Sequence, residues 1–319
     1  MFNRIVVATD YSSTAEAAYP LAAGLAMAMG GKLYVVHVDQ IAPPPMSEDA
    51  AAYVTHVARV RYHFASRAAD FWQRLGVATE DIVAKGPLAE AVVNCSKRCN
   101  ADLVLVARHG LRGSTQLPIN DVIRDLLYAN ERPTLIVPQP KMRSVKDGPL
   151  RPKRIVALSD LSTDSHVASR TAAQLAARFN SKLSVLHTLH PLQSLTIAAE
   201  PVVFSNRRPL VRQAEEKAAR RLLELRGQLE GEFRQPVDAE LHLAESVVDC
   251  VNELHAAPDN IVVAGSHGRG RLANALLGST THALASQADA PLLVLPPEKG
   301  VSVASSKAKQ ARPAVGARG

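Results

Sequence analysis

The chain is poor in cysteine and in aromatic residues, and it has no long uninterrupted apolar run. Its three cysteines, Cys95, Cys99 and Cys250, include no CxxC pair, and an odd count argues against a disulfide framework and for a reducing compartment. Aromatics supply only 4% of residues while hydrophobic types supply 47%, so the core must be built from Ala, Val, Leu and Ile. Such side chains suit helices laid on a parallel sheet. The longest uncharged apolar run, near Leu21 to Gly31, is rich in Ala and Gly and shorter than the ~20 residues a membrane span needs. The opening residues MFNRIVVATD run straight into a strand pattern, with no apolar region or small-residue cleavage site of a leader. A cytoplasmic protein with no membrane partner is expected.

Excess negative charge is also lacking: the formal net charge is +7. Residues 138–154 and 299–319 each carry a net +5, which leaves −3 for the remainder. Basicity concentrated in a linker and a tail does not make a nucleic-acid surface of the folded part. The tail is Ser, Ala, Lys and Gly without periodicity and is expected to be disordered.

What the chain does contain is an internal repeat. RIVVATDYS at 4–12 returns as RIVALSDLS at 154–162, and KLYVVHV at 32–38 as KLSVLHT at 182–188, both shifted by 150. LAEAVVNC at 88–95 returns as LAESVVDC at 243–250, shifted by 155. DLVLVARHG at 102–110 returns as NIVVAGSHG at 260–268, and PTLIVPQP at 133–140 as PLLVLPPE at 291–298, both shifted by 158. At 319 residues there is room for two such units, each with its own core. The boundaries read as 1–139, a Pro-rich charged linker at 140–153, a second unit at 154–298, and the tail.

Within the first unit, periodicity predicts strands at about 3–9, 32–38, 80–84, 102–107 and 133–137. It predicts helices at about 14–29, with Ser13 and Glu16 spaced as a capping box, and at 49–75, 88–99 and 119–129. The second unit repeats the order, with strands at 154–158 and 182–188 and helices at 163–179 and 209–230. The last of these carries Ala214, Ala218, Leu222, Leu225 and Leu229 on one stripe. Strands alternating with helices predict an α/β fold of two doubly wound, five-stranded parallel-sheet domains in tandem.

The chemistry concentrates in Asn260 to Thr280, NIVVAGSHGRGRLANALLGST. A buried-type strand enters a Gly-rich turn, and nine residues after Gly268 comes Gly278-Ser279-Thr280 at the start of a predicted helix. Helix-terminal N–H groups, the positive end of the helix dipole and two hydroxyls converge there, which makes an anion site and most simply a phosphate site. Glycine at 265, 268 and 278 lets the backbone approach a ligand.

At Gly265, Gly268, Gly278 and Ser279 the spacing G-x2-G-x9-G-[S/T] resembles the ATP-binding branch of the universal stress protein family. The resemblance implies Rossmann-like domains and an ATP site in the second unit that includes Arg269 and Thr280, with Mg²⁺ as an accompanying ion. It implies that Asp160, beside Ser159 directly after the first strand, contacts the nucleoside; capping of the next helix is the competing reading of that aspartate. It implies that backbone groups at Thr188 hold the adenine, at a place where Val38 stands in the first unit. It further implies that the domains dock as an intramolecular pseudo-dimer through Thr134–Val137 and Leu292–Leu295, with a homodimer left open. The implied role is a nucleotide sensor or scaffold in stress response with at most slow hydrolysis. The alternative is an interaction module of the same family that binds no nucleotide.

The first unit departs from the motif. It has Ala107-Arg108-His109-Gly110 in place of Gly265-Ser266-His267-Gly268, and Asn120-Asp121 in place of Gly278-Ser279. A carboxylate ~5 Å from a phosphate charge at an effective dielectric near 20 repels it by roughly 3 kcal/mol, about two decades of affinity. The first unit therefore reads as a degenerate copy. Gly268 to Ala273 also fits a dinucleotide fingerprint, but it follows the fourth strand of its unit instead of opening the first crossover. Ala264 to Gly268 resembles a nucleophile elbow around Ser266, a hydrolase reading weakened because Ala264 replaces the first Gly. His109 and His267 read as turn residues, and Cys95 and Cys99, one helical turn apart, as packing residues.

The charge distribution generates one prediction. Removing residues 299–319 should leave DNA association weak and without sequence preference, as read by gel shift across a salt series. A steep, sequence-dependent affinity that disappears with the tail would contradict it.

Overall fold

The computed structural model describes residues 1–39, 62, 65–108, 121–129, 131–138, 148–190, 207–266 and 277–297. In chain order the first half forms β1 (Arg4–Thr9), α1 (Ser13–Glu16), α2 (Tyr19–Met29) and β2 (Lys32–Asp39). A helical stretch over residues 65–74 follows. Then come β3 (Thr79–Lys85), α3 (Leu88–Arg98), β4 (Leu103–Ala107), α4 (Asp121–Ala129) and β5 (Thr134–Val137). The second half forms β6 (Arg154–Leu158), α5 (Thr163–Phe179), β7 (Lys182–Leu189), α6 (Arg207–Phe233) and β8 (Val237–Leu243). It closes with α7 (Val247–His255), β9 (Asn260–Gly265), α8 (Ser279–Gln287) and β10 (Leu292–Leu295).

Ten strands make one sheet in the order β3-β2-β1-β4-β5-β10-β9-β6-β7-β8. Neighbours within each half are parallel, whereas β5 and β10 pair antiparallel, with Leu292 opposite Ile136, Leu293 opposite Leu135 and Val294 opposite Thr134. The fold is thus α/β with two doubly wound halves. The central strands are apolar runs buried on both faces, while the outermost strands TEDIVAK and VDAELHL carry charges and are largely exposed or half-buried, as edges require.

Helices cover both faces. On one, Tyr19, Phe71 and Trp72 of the first half belong to the same core as Ala168, Ala172, Leu222 and Leu225 of the second. On the other, Val92, Val93 and Leu126 pack beneath the first half, and Ile123 and Ile136 join Val251, Leu284 and Leu292. Alanine rows such as Ala168, Ala172 and Ala176 on α5 let that helix lie close to the strands. Of the predicted α6 stripe, Ala218, Leu222, Leu225 and Leu229 are buried and Ala214 is half-buried.

Two local readings are corrected. The helix expected at 14–29 is broken into α1 and α2, because the Pro20 ring cannot be accommodated by a continuous helix and sits instead in the first turn of α2. The α1 cap is Ser12, whose hydroxyl accepts the Ala15 N–H at 3.0 Å, so the N-cap stands one residue before the Ser13 that the expected capping box places there. Glu16 pairs with Arg67 at 3.1 Å. Of the helix expected at 49–75 the described part is residues 62 and 65–74, and the chain leaves it through Gly76 at a φ of 64°.

The second half of the linker docks on α2. The Leu150 N–H donates to the Pro20 carbonyl at 2.7 Å, and a Cβ at Gly24 would collide with the Leu150 carbonyl. Gly24→Ala should therefore destabilise the fold by about 1–3 kcal/mol through overpacking. Urea unfolding checks this, and an unchanged midpoint would contradict it.

Candidate functional site

Strands β7, β6 and β9 lie side by side and end together, since Leu158 pairs with Leu186 and Ala157 with Val263. One or two residues further on, the chain reaches Thr188, Ser159 with Asp160, and Gly265. Between β6 and β9 the strand order reverses, and in an open parallel sheet this is where the carboxyl ends leave a crevice for a ligand.

The loop after β6 is built around a residue in a sparsely populated conformation. Leu161 has a φ of 60°, a left-handed value that bulky side chains avoid. It is held by its neighbours: the Ser159 hydroxyl accepts the Leu161 N–H at 3.0 Å, and Asp160 Oδ1 accepts the Ser162 N–H at 3.0 Å. His187 Nδ1 lies 2.7 Å from the Ser159 carbonyl, which can only accept, so the ring must carry its proton on Nδ1. The helix cap is Ser162, accepting the Ser165 N–H at 3.3 Å. Asp160 therefore does not cap α5, and its carboxylate instead closes the turn that presents it.

The same device stands in the first half. Tyr11 has a φ of 59°, the Thr9 hydroxyl accepts its N–H at 2.9 Å, Asp10 Oδ1 accepts the Ser12 N–H at 2.9 Å, and His37 Nδ1 is 3.0 Å from the Thr9 carbonyl. These histidines and left-handed residues were not singled out from the sequence. The signal for the histidines was present in the repeated VVHV and VLHT; left-handed Tyr and Leu carry no composition signal.

At the end of β9, the Ser266 N–H donates to Leu295 and the Ser266 carbonyl accepts the Gly278 N–H at 2.9 Å. The Thr281 hydroxyl donates to the Gly265 carbonyl at 2.8 Å. The two ends of the glycine motif are thereby held together, although Gly268 and Arg269, with His267, lie outside the described residues. Gly278 is the N-cap of α8 with φ −58° and ψ 140°, a conformation open to any residue, so the backbone there does not itself demand glycine. The first intrahelical bond runs from His282 to Gly278. Helix geometry then directs the N–H groups of Ser279, Thr280 and Thr281 out of this end. Ser279 and Thr280 are exposed, while Thr281 is buried. Ser266 is also buried, which does not suit an exposed elbow nucleophile.

In the first half Arg108 takes the backbone place of Ser266, its N–H donating to Val137 at 2.8 Å, and α4 starts at Asp121 where α8 starts at Ser279. Asn120 and His109 lie outside the described residues. Beside the Asp160 loop, a cleft of about 410 Å³ opens between α5 and α6, lined by Leu161, Ser162, His166, Arg221 and Glu224 among others. Of its α6 residues, Arg221, Glu224 and Gln228 belong to a polar helix face that gave no sequence signal, whereas Leu225 lies on the apolar stripe.

Comparison with known proteins agrees with this architecture. The Universal stress protein family model matches residues 1–138 and 152–296. A universal stress protein of Mycolicibacterium smegmatis is 26% identical over 308 residues, covering 92% of this chain and 97% of its own length. Among solved structures, a universal stress protein from Archaeoglobus fulgidus superposes with a TM-score of 0.60 at 15% identity, covering 93% of this chain and 99% of the other. A functionally unknown protein from Pseudomonas aeruginosa superposes with a TM-score of 0.59 at 14% identity, covering 93% of each chain. At these identities the structures speak for the fold alone. Among the described residues no helix is long and apolar enough to cross a membrane. With both halves matched over nearly their whole length, the chain belongs to the universal stress protein family.

Proposed function

We propose that the protein binds one ATP in its second half and acts in the cytoplasm as a nucleotide-dependent sensor or scaffold in stress response. The observation that carries this is the joining of the motif ends, in which Ser266 accepts the Gly278 N–H and so sets the start of α8, whose N-cap glycine supplies no side-chain cap, beside the Gly265 end of β9. A nine-residue helix with exposed hydroxyls on its first two residues fits an anionic group at its N-terminus. In this reading Ser279 and Thr280 hold phosphate oxygens, Asp160 accepts hydrogen bonds from ribose hydroxyls, and the Thr188 backbone meets the adenine. Gly265, Gly268, Arg269 and Ser159 complete the surroundings. Mg²⁺, when present, neutralises phosphate charge. Binding state, not turnover, is the output, and the two halves serve as an intramolecular pseudo-dimer.

Titration calorimetry should give one ATP per chain. Gly278→Asp should abolish binding, because it puts a side chain and a like charge where the phosphates sit. Asn120→Gly combined with Asp121→Ser should leave the second-half site unchanged. Two equivalent sites in the parent, or ATP binding retained by Gly278→Asp, would contradict the proposal. Ser266→Ala should keep affinity within a few-fold; stoichiometric acylation of Ser266 by a serine-directed probe would favour a hydrolase instead.

A further inference from the structure

Arg108 stands in the first half where the second half has Ser266, yet it makes its side-chain contact in the other half. Its guanidinium Nη1 donates to the Ala288 carbonyl at 2.6 Å, across the seam between the halves. Because β5 and β10 run antiparallel, the carboxyl end of β4 comes to lie beside the start of β10, and so beside the C-terminal end of α8. Asn252 completes the clamp, donating to the Gln287 carbonyl at 3.0 Å and accepting the Asp289 N–H at 2.8 Å. The repeat places Lys97 at the Asn252 position and Asn130 at the Ala288 position, so these residue types are not repeated around α4.

This contact is held against a desolvation cost. Arg108 is buried, its Nε has no hydrogen-bond partner among the described residues, and burial pulls its pKa down, partly offset by Asp289. Burying a cation costs several kcal/mol, more than the one side-chain bond it makes among the described residues returns, so stability alone is a poor reason for it. Its placement is informative instead. A fixed positive charge at a helix C-terminus complements the dipole and holds the helix in place, and the other end of this helix is the proposed phosphate site. Nine helical residues span about 13 Å, too far for Arg108 to touch a phosphate.

We infer that Arg108 is a positioning residue by which the first half, without a phosphate motif of its own, fixes the phosphate-binding helix of the second. The inference rests on the proposed ATP site, and it gives the degenerate half a function: Arg108 is supplied by the very stretch in which that half departs from the glycine motif.

The test uses the full chain and the variants Arg108→Gln and Arg108→Lys, with calorimetry of ATP, displacement of ATP by adenosine, and amide hydrogen exchange of nucleotide-free α8. Arg108→Gln should weaken ATP binding about five- to tenfold while adenosine affinity stays within about twofold, because only the phosphates meet α8. Arg108→Lys, which keeps the charge, should recover most of the loss. Exchange within Ser279–Gln287 should quicken in Arg108→Gln relative to α7. Unchanged ATP affinity in Arg108→Gln, or equal losses for ATP and adenosine, would overturn the inference while leaving the ATP site standing. If the parent binds no ATP, the nucleotide reading falls by itself, and unchanged α8 protection in Arg108→Gln would then overturn the positioning role as well.

Discussion

Strands β5 and β10 are four residues long and buried at every position, a character that an exposed sheet edge does not tolerate. Each half alone would leave one of them as its edge, offering unpaired backbone groups and an apolar surface together. Their antiparallel pairing removes both problems at once and forms the ten-stranded sheet. The cores then run across the junction, with Ile123 and Ile136 of the first half packed among Val251, Leu284 and Leu292 of the second. The direction of the pairing matters as much as its existence. It sends the carboxyl ends of the two sets of strands to opposite edges of the sheet, so the two loop clusters cannot merge into one site and are free to diverge.

They have diverged unevenly. The loop after the first strand is kept in both halves down to a left-handed residue, a hydroxyl that holds it, an aspartate that closes the turn and a histidine on the preceding carbonyl. Strained backbone at Tyr11 and Leu161 costs of order 1–3 kcal/mol and needs its surroundings to hold it. The glycine turn, by contrast, is kept in the second half and replaced in the first. The first half thus retains the loop after its first strand without the glycine turn, and its Arg108 contacts the other half instead.

Most of the architecture was legible because the repeat let each half check the other. Apolar β-branched runs such as IVVA mark buried strands, and the α6 stripe marks a packed helix, whichever way tertiary contacts fall. Misreadings occurred where a single residue overrode a pattern. Pro20 divides an apolar helix that periodicity draws as continuous, and the cap falls on Ser12 although Ser13 and Glu16 have the spacing of a capping box. At the site, the glycines and hydroxyls stood out because their spacing is itself the signal, and the fold brings Gly265 and Gly278 together through Ser266. Leu161, Thr281 and Arg108 were not legible in this way, since a left-handed leucine, a hydroxyl on a distant carbonyl and an arginine crossing a seam depend on which segments the fold brings together.

Hydrogen exchange across the whole chain with and without ATP tests the central claim most directly, because it reports location as well as binding. The account predicts slowed exchange at residues 159–162, around 188, at 265–266 and at 278–281, with no change at residues 9–12 or at the start of α4. Protection spread equally over both halves, or none at the start of α8, would contradict it.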